Sequence, residues 1–532
     1  MEPDTSRRDA AQASLGVQAT GRLLAAGRRP LANLVAPLVV ALLAFALYLR
    51  TLLPGIAFGD WGEMQTVPHV LGVAHPTGYP TYILIAWLAE LVPIGSVAFR
   101  ANALSAVFVA AALGVLTAVG QRLGVRPVVA AVSALAVGAI ATVWAAATVA
   151  EVNPLHLLFA ALLIHRAVVW EARRSPVDLV IGGLLLGLAL GNHLLTLFVA
   201  PFLLLFVVWV GRRELLARPW WIAVPVVALA LGLAVYAYIP LAAGLSPPLP
   251  YNHPVTFEAV RWLVTGEQFR GQFGGLLTAK SIDPLLTSLP DLWRLAAARA
   301  TPIAPVVGLV GLAILVGRRP AFGLACWGIL VSSVYVWGNY LQLEHYLLVP
   351  WLILGLGVAV ALDAAAGLAE RRLTPRLAWV PGAAAGLAGA LFAIVLVTIN
   401  LSTSDRSGDR SGEAYVDAVF DALPPDAAIL SYWDASTPLW HGQLVEGRRP
   451  DVLIVDDTNI VYEGWGTRER RIDALICERP VFILRLRDED LAPTRQAYQL
   501  SPALEVRVAA GEPTASASRP IHRVEESPGR CP

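Results

Sequence analysis

The chain has 532 residues, of which 56% are hydrophobic and only 15% are charged, with a mean hydropathy of +0.62. A soluble protein would carry about 25% charged residues, and apolar runs of about 20 residues, the length that crosses a bilayer core, recur along this chain. The net charge of +1, the lack of a basic block and three scattered cysteines argue against nucleic-acid binding and a cysteine-based zinc site. The composition therefore predicts a polytopic helical membrane protein.

The first 30 residues are polar and contain several arginines, and no cleavage site follows a short apolar core. They predict a disordered cytoplasmic tail. Eleven apolar segments are predicted to span the membrane: 31–49, 98–120, 127–148, 153–170, 177–191, 194–210, 220–241, 302–317, 321–340, 345–362 and 377–400. Residues 79–94 are apolar but short and contain Glu90, which predicts a re-entrant or interfacial helix.

The basic residues between these segments fix the predicted topology. If residues 79–94 do not span and the N-terminus is cytoplasmic, all the basic pairs fall on the inner side: Arg122 and Arg126, Arg173 and Arg174, Arg212 and Arg213, Arg318 and Arg319, and Arg371, Arg372 and Arg376. This pattern predicts a multi-pass protein of the cell membrane with an extracytoplasmic C-terminus. The polar side chains that could perform chemistry then collect on the outer face.

From about residue 401 the charge rises and the apolar runs shorten. Residues 427–433, 451–457 and 480–486 predict buried strands, and 412–423 and 468–478 have helical spacing. Strands that alternate with helices predict a small parallel α/β domain outside the membrane. The predicted fold is mainly α, a transmembrane helix bundle at 31–400 with a C-terminal α/β domain at 401–532.

The stretch "GDWGE" holds the strongest catalytic candidates, Asp60 and Glu63. Residues three apart share one face of a helix, and a carboxylate at the outer mouth of the bundle could take a proton from an acceptor hydroxyl or bind a metal. The alternative is structural, with Asp60 as the N-cap of a helix over 61–71 and Glu63 as its capping-box partner. The two interpretations are compatible.

Other polar residues lie at predicted outer ends or turns. "HPTGYP" is a turn that could bring His75 and Tyr79 over the mouth of the bundle, or could serve the turn alone. The remaining outer candidates are Glu151, Asn192, His193, Glu344 and His345. An ionisable group near the membrane interior is a functional candidate. The structural alternatives are a solvated carboxylate, a polar turn and an interfacial aromatic belt.

The loop 251–275 is amphipathic, with aromatic residues beside Arg261 and Arg270. A guanidinium group binds phosphate bidentately, so either arginine could hold a lipid phosphate. The alternative is simple anchoring in the membrane interface. No Walker A, GxSxG or HExxH motif supports nucleotide-driven or hydrolytic chemistry.

Six blocks in chain order, "GDWGE", "LGVAHPTGYPTY", "AEVNPLHLLFAAL", "GLALGNHLLTL", "VTFEAVRWLVTGEQFRGQF" and "EHYLLVPWL", resemble a broad family of membrane proteins. That family includes the animal transmembrane protein O-mannosyltransferase and is related to the GT-C glycosyltransferases. The resemblance runs from about residue 52 to residue 362. It implies a GT-C fold, a polyprenyl-phosphate sugar donor on the outer leaflet and an acidic residue in the first outer loop that activates the acceptor. At the matching positions these are Asp60 and, as partner or alternative base, Glu63.

The predicted function is therefore transfer of a sugar, with mannose as one candidate, from a polyprenyl-phosphate carrier to a protein or glycan acceptor, with inversion. Residues predicted to position acceptor or phosphate are His75, Tyr79, Glu151, Asn192, His193, Arg261, Arg270, Glu344 and His345. No cofactor is predicted, and a divalent metal stays open. The alternative is a non-enzymatic transporter or assembly factor for lipid-linked sugars. Acids at the outer ends of spans and the lack of an internal repeat favour the enzyme.

Overall fold

A computed structural model describes residues 32–269, 283–339 and 342–525. Helices dominate up to residue 404, and a smaller unit that contains a β-sheet follows from residue 411. This architecture confirms the predicted fold class, a mainly α protein with a small C-terminal sheet region. The predicted disordered tail at residues 1–30 lies outside the described residues.

The helices of the first part are, in order, α1 Ala32–Arg50, α2 Gly59–Thr66, α3 Pro80–Glu90, α4 Val97–Arg122, α5 Pro127–Gly138, α6 Ala141–Ala147, α7 Val152–Arg173, α8 Pro176–Leu190, α9 Ala200–Ala217, α10 Trp220–Leu233, α11 Tyr238–Gly244, α12 Phe257–Val264, α13 Asp283–Ala300, α14 Ile303–Arg318, α15 Pro320–Asn339, α16 Leu348–Glu370 and α17 Val380–Ser404. Short 3₁₀ turns cover Leu194–Phe198, Ala234–Ala237, Glu267–Phe269, Glu344–Leu347 and Pro375–Leu377.

Each of the eleven predicted spans contains helix. Seven helical segments among the described residues are long and apolar enough to cross a membrane, or up to nine if two bent pairs each count as one span. One bent pair is α5 with α6, which turns by 74° inside the predicted span 127–148. Helix α3 has 11 residues, too few to cross a bilayer alone. Its length agrees with the prediction that residues 79–94 do not span.

Glycines let two helix pairs of the bundle approach closely. A Cβ on Gly183 or Gly187 of α8 would lie within 2.4 Å of a backbone carbonyl oxygen of α10. A Cβ on Gly311 of α14 would lie 1.7 Å from the carbonyl oxygen of Gly357 in α16. Small residues at such contacts are typical of helix packing in membranes, where backbone contact replaces the hydrophobic driving force.

The C-terminal unit contains α18 Ser411–Ala422, β1 Ala428–Ser431, α19 Trp433–Leu444, β2 Leu453–Asp456, α20 Asp457–Tyr462, α21 Arg468–Leu475, β3 Val481–Leu484, α22 Ala492–Ala497, β4 Gln499–Val508 and β5 Ala517–Glu525, with a 3₁₀ turn at Asp488–Leu491. The strand order is β2-β1-β3-β5-β4. Strand β1 pairs in parallel with β2 and β3, as predicted. Strands β4 and β5 form an antiparallel hairpin on the edge of β3, so the sheet is mixed and not purely parallel.

The segment before α2 is part of the core of the C-terminal unit. Ile56 and Phe58 are buried beside Tyr415 of α18 and Leu439 of α19. The rings of Phe58 and Tyr415 lie 5.2 Å apart, and the backbone N–H of Phe58 donates to the carbonyl of Pro513 at 3.1 Å. The first loop after α1 and the C-terminal unit therefore form one packed structure, which positions the candidate site.

Candidate active site

Helix α2 carries Asp60 and Glu63 but is not capped as predicted. The helix begins at Gly59, whose φ of 60° lies in the left-handed region that favours glycine. Its N-cap is Phe58, which makes no side-chain cap, and Asp60 lies in the first helical turn. The capping-box interpretation is therefore wrong, because the helix begins two residues earlier than the pattern predicted and leaves the Asp60 carboxylate outside the cap.

The two carboxylates of α2 converge on His75. The backbone N–H of His75 donates to Glu63 Oε1 at 2.8 Å, and its ring Nδ1–H donates to Glu63 Oε2. The other ring nitrogen, Nε2, lies 3.8 Å from Asp60 Oδ2. The Glu63 side chain is only 2% exposed and the Asp60 side chain is 59% exposed. The cluster thus combines a buried acid–histidine pair with one carboxylate open to solvent.

The charges of the buried pair depend on each other. Burial alone would lower the pKa of His75, but the carboxylates of Glu63 and Asp60 raise it to about 9. Burial raises the pKa of Glu63, against the lowering effect of His75. Since a histidine with a pKa near 9 is protonated at neutral pH, His75 presents a positive charge toward Asp60.

The C-terminal unit completes the surroundings of Asp60. Trp433, the first residue of α19, donates from its indole N–H to Asp60 Oδ1 at 2.7 Å. Its ring packs edge-on against His75, with centroids 5.9 Å apart. The neighbouring Asp434 accepts from the backbone N–H of Gly511 at 2.8 Å. These contacts hold the start of α19 directly over the start of α2.

Tyr79 and Glu151 adjoin this cluster, as the sequence predicted for residues of one outer face. The Tyr79 hydroxyl donates to the carbonyl of Pro76 at 2.9 Å and lies 3.1 Å from His75 Nε2. Glu151 accepts from the indole N–H of Trp61, the residue after Asp60, at 3.2 Å. Tyr79 therefore contacts the cluster through His75, and Glu151 contacts the residue next to Asp60.

The second group of predicted residues lies behind Tyr79. The ring of His193 is 5.8 Å from that of Tyr79 and 6.3 Å from that of Tyr346. His345 Nδ1 lies 4.0 Å from Glu151 Oε2. Asn192 is fully buried and donates to the carbonyl of Val152 at 3.1 Å, which joins the break after α8 to the start of α7. Asn192 thus links two helices, its role in binding stays a prediction, and the two histidines border the site.

Three predicted binding residues lie elsewhere or outside the described residues. Glu344 accepts from Arg299 at 2.6 and 3.0 Å and from Thr142 at 3.0 Å, a structural junction of three helical elements. Arg261 on α12 pairs with Glu267 at 2.9 Å. Arg270 lies outside the described residues. Any role of these side chains in phosphate binding stays a prediction.

The side chains of Asp60, Glu63 and His75 are also the one group among the described residues that could hold a metal ion. Each offers one ligand atom, and the three atoms lie within 4.8 Å of one another. Two carboxylates and one imidazole suit a divalent transition metal. Two of these side chains, Glu63 and His75, are already hydrogen-bonded to each other. A metal ion could bind both only if that hydrogen bond were broken.

The structure adds residues that the sequence interpretation missed. Trp433 is the last residue of the predicted strand 427–433, and the carboxyl ends of parallel strands are common ligand sites, so its position had a signal although its contact with Asp60 had none. Tyr251 and Tyr462, whose hydroxyls lie 3.0 Å apart, join the loop after α11 to α20. These tyrosines had no sequence signal, because their contact depends on the docking of two distant segments.

Comparison with known proteins gives consistent results in sequence and in fold. A family model described as the N-terminal domain of protein O-mannosyl-transferase TMEM260 matches residues 60–216. The chain is 28% identical over 499 residues to protein O-mannosyl-transferase TMEM260 of Mus musculus, and the alignment covers 85% of this chain and 67% of that protein.

Among solved structures, ArnT from Cupriavidus metallidurans bound to undecaprenyl phosphate aligns with a TM-score of 0.59 at 13% identity, over 94% of this chain and 98% of that chain. The apo form of ArnT aligns with a TM-score of 0.51 at 12% identity, over 95% of this chain and 98% of that chain. These likenesses confirm the predicted GT-C fold, and together with the sequence similarity to O-mannosyl-transferase TMEM260 they confirm the prediction of a GT-C-type membrane glycosyltransferase.

Proposed function

We propose that the protein transfers a sugar from a polyprenyl-phosphate carrier to a hydroxyl acceptor at the outer face of the cell membrane. The observation that carries the proposal is Asp60, an exposed carboxylate beside a buried Glu63–His75 pair. The similarity to the mouse protein O-mannosyl-transferase supports mannose as the sugar and protein as the acceptor. The undecaprenyl phosphate bound to ArnT supports a polyprenyl-phosphate carrier.

Asp60 is the general base of the proposed reaction. Its carboxylate takes the proton of the acceptor hydroxyl while the hydroxyl oxygen attacks the anomeric carbon of the donor sugar. The bond between that carbon and the carrier phosphate breaks, polyprenyl phosphate leaves with both bonding electrons, and the configuration inverts. Trp433 holds the base in place by its hydrogen bond to Asp60 Oδ1.

His75 supports the reaction through its charge. The two carboxylates around it raise its pKa to about 9, so it is cationic at neutral pH. A fixed positive charge beside the reacting centre stabilises negative charge that develops on a leaving phosphate. Glu63 keeps the imidazolium in position from the buried side, and His193 and His345 border the same space, where donor atoms would lie.

Transfer of label from lipid-linked sugars tests the proposal. The purified full-length protein in lipid is given polyprenyl-phosphate-linked mannose or glucose together with extracted acceptors. We expect transfer by the wild type, and a loss of roughly 10²–10⁴-fold in Asp60→Asn, the usual contribution of a general base.

The matched control is Asp417→Asn, because the Asp417 side chain is 58% exposed, like that of Asp60, and pairs with Arg448 on the C-terminal unit. This control should transfer sugar at the wild-type rate. Wild-type activity in Asp60→Asn would overturn the assignment of the base, and no transfer from either donor by the wild type would overturn the proposed reaction.

A further inference from the structure

A cleft of about 370 Å³ opens between the helical part and the C-terminal unit. We call it the interdomain cleft; its walls are the loop 247–253, the start of α19 with Trp433, and α20 with its C-terminal Tyr462. Glu63 belongs to its lining, so the cleft adjoins the cluster that contains the proposed base. A volume of this size lies at the lower end of small-ligand sites and is too small for a polyprenyl chain.

The electrostatic character of the cleft separates it from the donor site. None of the described residues that line it is Arg or Lys. It has two acids, and both are paired: Glu63 shares two hydrogen bonds with His75, and Glu463 lies 3.9 Å from the guanidinium group of Arg471. A phosphate-bearing ligand would require cationic partners. The lining therefore fits a neutral occupant, which in a glycosyl transfer is the acceptor.

Most polar atoms of the lining already have partners within the protein. The Tyr251 and Tyr462 hydroxyls bond to each other at 3.0 Å, and both contact Gln268. The Thr458 hydroxyl donates to the Asp456 carboxylate at 2.6 Å, and the Asn459 side-chain oxygen accepts from the backbone N–H of Asp456. A buried hydroxyl without a partner is costly, so a glycan, with many hydroxyls, fits this wall worse than a peptide does.

The remaining surface is aromatic and proline-rich, and it is rigid. The rings of Trp433 and Tyr251 stand edge-on with centroids 6.0 Å apart, and the segment 247–250 contributes three prolines. The backbone of this loop is fixed to the first outer loop, because Val73 donates to the carbonyl of Leu249 at 2.8 Å and accepts from Tyr251 at 3.2 Å. Aromatic-lined grooves bind extended peptides, and a fixed wall reduces the entropy lost on binding.

We propose that the interdomain cleft binds the acceptor as a neutral, extended, hydroxyl-bearing peptide segment, with its hydroxyl directed toward Asp60. This inference rests on the proposed function, since it assigns the acceptor side of the same reaction. The C-terminal unit then supplies half of the acceptor site through Trp433 and Tyr462. An acceptor peptide rich in Ser, Thr, Ala and Pro matches the lining in charge and polarity.

Steady-state kinetics with a fluorescent Ser/Thr/Ala/Pro peptide test the assignment. In Tyr462→Ala we expect about a tenfold rise in the peptide KM, the usual effect of removing an aromatic contact residue, at unchanged donor KM. The matched control is Val461→Ala, since Val461 is the preceding residue of α20, is 65% exposed and is not part of the cleft lining. This control should keep the wild-type KM.

A second variant excludes misfolding as the cause. Glu463→Cys places a thiol at a half-exposed position of the lining, and the same sample is assayed before and after reaction with a bulky maleimide, with the wild type treated in parallel. The unmodified variant sets its own baseline, and we expect its peptide KM to rise above that baseline after modification, at unchanged donor KM. The wild type should be unaffected by the reagent.

The outcomes separate this inference from the proposed function. An unchanged peptide KM both in Tyr462→Ala and in the maleimide-modified Glu463→Cys would overturn the cleft as the acceptor site and leave the proposed reaction standing. Transfer to an oligosaccharide but never to the peptide would overturn the peptide assignment alone. No transfer by the wild type to any acceptor would overturn the proposed function itself, and this inference with it.

Discussion

The indole N–H of Trp433 donates to Asp60 Oδ1 at 2.7 Å, although 373 positions separate the two residues in the chain. The bond links the first turn of α2 in the membrane-embedded part to the first residue of α19 in the C-terminal unit. The C-terminal unit is therefore a structural component of the candidate active site, since it contacts the proposed base and is packed around Phe58 just before α2.

Replacement of Trp433 by Phe should lower kcat by roughly 10- to 150-fold, because a hydrogen bond to a charged acceptor contributes about 1.5–3 kcal/mol. The phenyl ring keeps the aromatic surface that faces His75, so the KM of the donor should stay unchanged. Transfer kinetics under saturating acceptor separate the two constants. A purely structural role would instead lower the amount of folded protein and leave kcat per folded molecule intact.

The control for this variant is Trp465→Phe. Trp465 also donates from its indole N–H to a carboxylate, that of Glu463 at 2.9 Å, in the same unit but away from Asp60. We expect wild-type kcat in the control. Equal losses in the two variants would contradict a specific role of the Trp433–Asp60 bond.

Replacement of Glu63 by Gln should lower the free energy of unfolding as well as the rate of sugar transfer. Glu63 is 2% exposed and forms an ion pair with His75, and removal of one partner of a buried pair typically costs about 3–5 kcal/mol. The exposed Asp60→Asn change should leave the thermal unfolding midpoint unchanged, so the two variants can be compared by thermal unfolding in the same detergent. A midpoint of Glu63→Gln equal to that of the wild type would contradict an ion pair at this position.

The contact between α2 and α19 should weaken in acid because of His441. This buried side chain lies 3.3 Å from the Thr66 hydroxyl, and burial lowers its pKa to about 3. In the unfolded state His441 takes up a proton as the pH falls below about 6.5, but in the folded state it does so only near pH 3. The contribution of neutral His441 to folding stability is therefore complete above pH 6.5 and is lost as the pH falls toward 3. At pH 5 the loss is about 2 kcal/mol.

The difference in unfolding midpoint between pH 7.5 and pH 5 measures this effect. His441→Asn, which cannot titrate, should show a smaller difference than the wild type, whereas His253→Asn, at an exposed position, should behave like the wild type. The comparison of variants also cancels the opposite effect of Asp434, whose pKa burial raises to about 6. An unchanged acid response in His441→Asn would show that another group controls it.

Chelation should not abolish transfer if the Glu63–His75 bond persists in the working enzyme. The three candidate ligands lie within 4.8 Å of one another, but two of them already bond to each other. We expect protein that has been stripped of metal with EDTA to transfer label at the same rate as untreated protein. A loss of activity that Mn²⁺ or Zn²⁺ restores would instead assign Asp60, Glu63 and His75 as a metal centre.

The sequence was informative where the determinants are local. Asp60, Glu63 and His75 lie within 16 positions, and the predicted topology placed all three on the outer face. Strand β4 also had a local signal, the alternation of Leu504, Val506 and Val508, but Pro502 and the charged neighbours obscured it. The Trp433–Asp60 bond had no such signal, because it depends on how two distant segments pack.

Gly62 gives the sharpest test of that packing. A Cβ at this position of α2 would lie 2.4 Å from the carbonyl oxygen of Ala57 and 2.8 Å from Thr437 Oγ1 of α19. Gly62→Ala should therefore displace α2 from the segment at Ala57 and from α19, lengthen the Trp433–Asp60 bond and lower transfer more than tenfold, since backbone atoms in a packed interior cannot give way cheaply.

Gly182→Ala is the matched control, because Gly182 is also helical and a Cβ there meets nothing within 4 Å. This change should be neutral or stabilise α8 by up to about 1 kcal/mol. The double variant with Thr437→Ala should not restore transfer, since the nearest obstacle is the backbone oxygen of Ala57 and not the threonine side chain. Full activity of Gly62→Ala would mean that α2 and α19 separate without loss of function, and the C-terminal unit would then have no part in orienting Asp60.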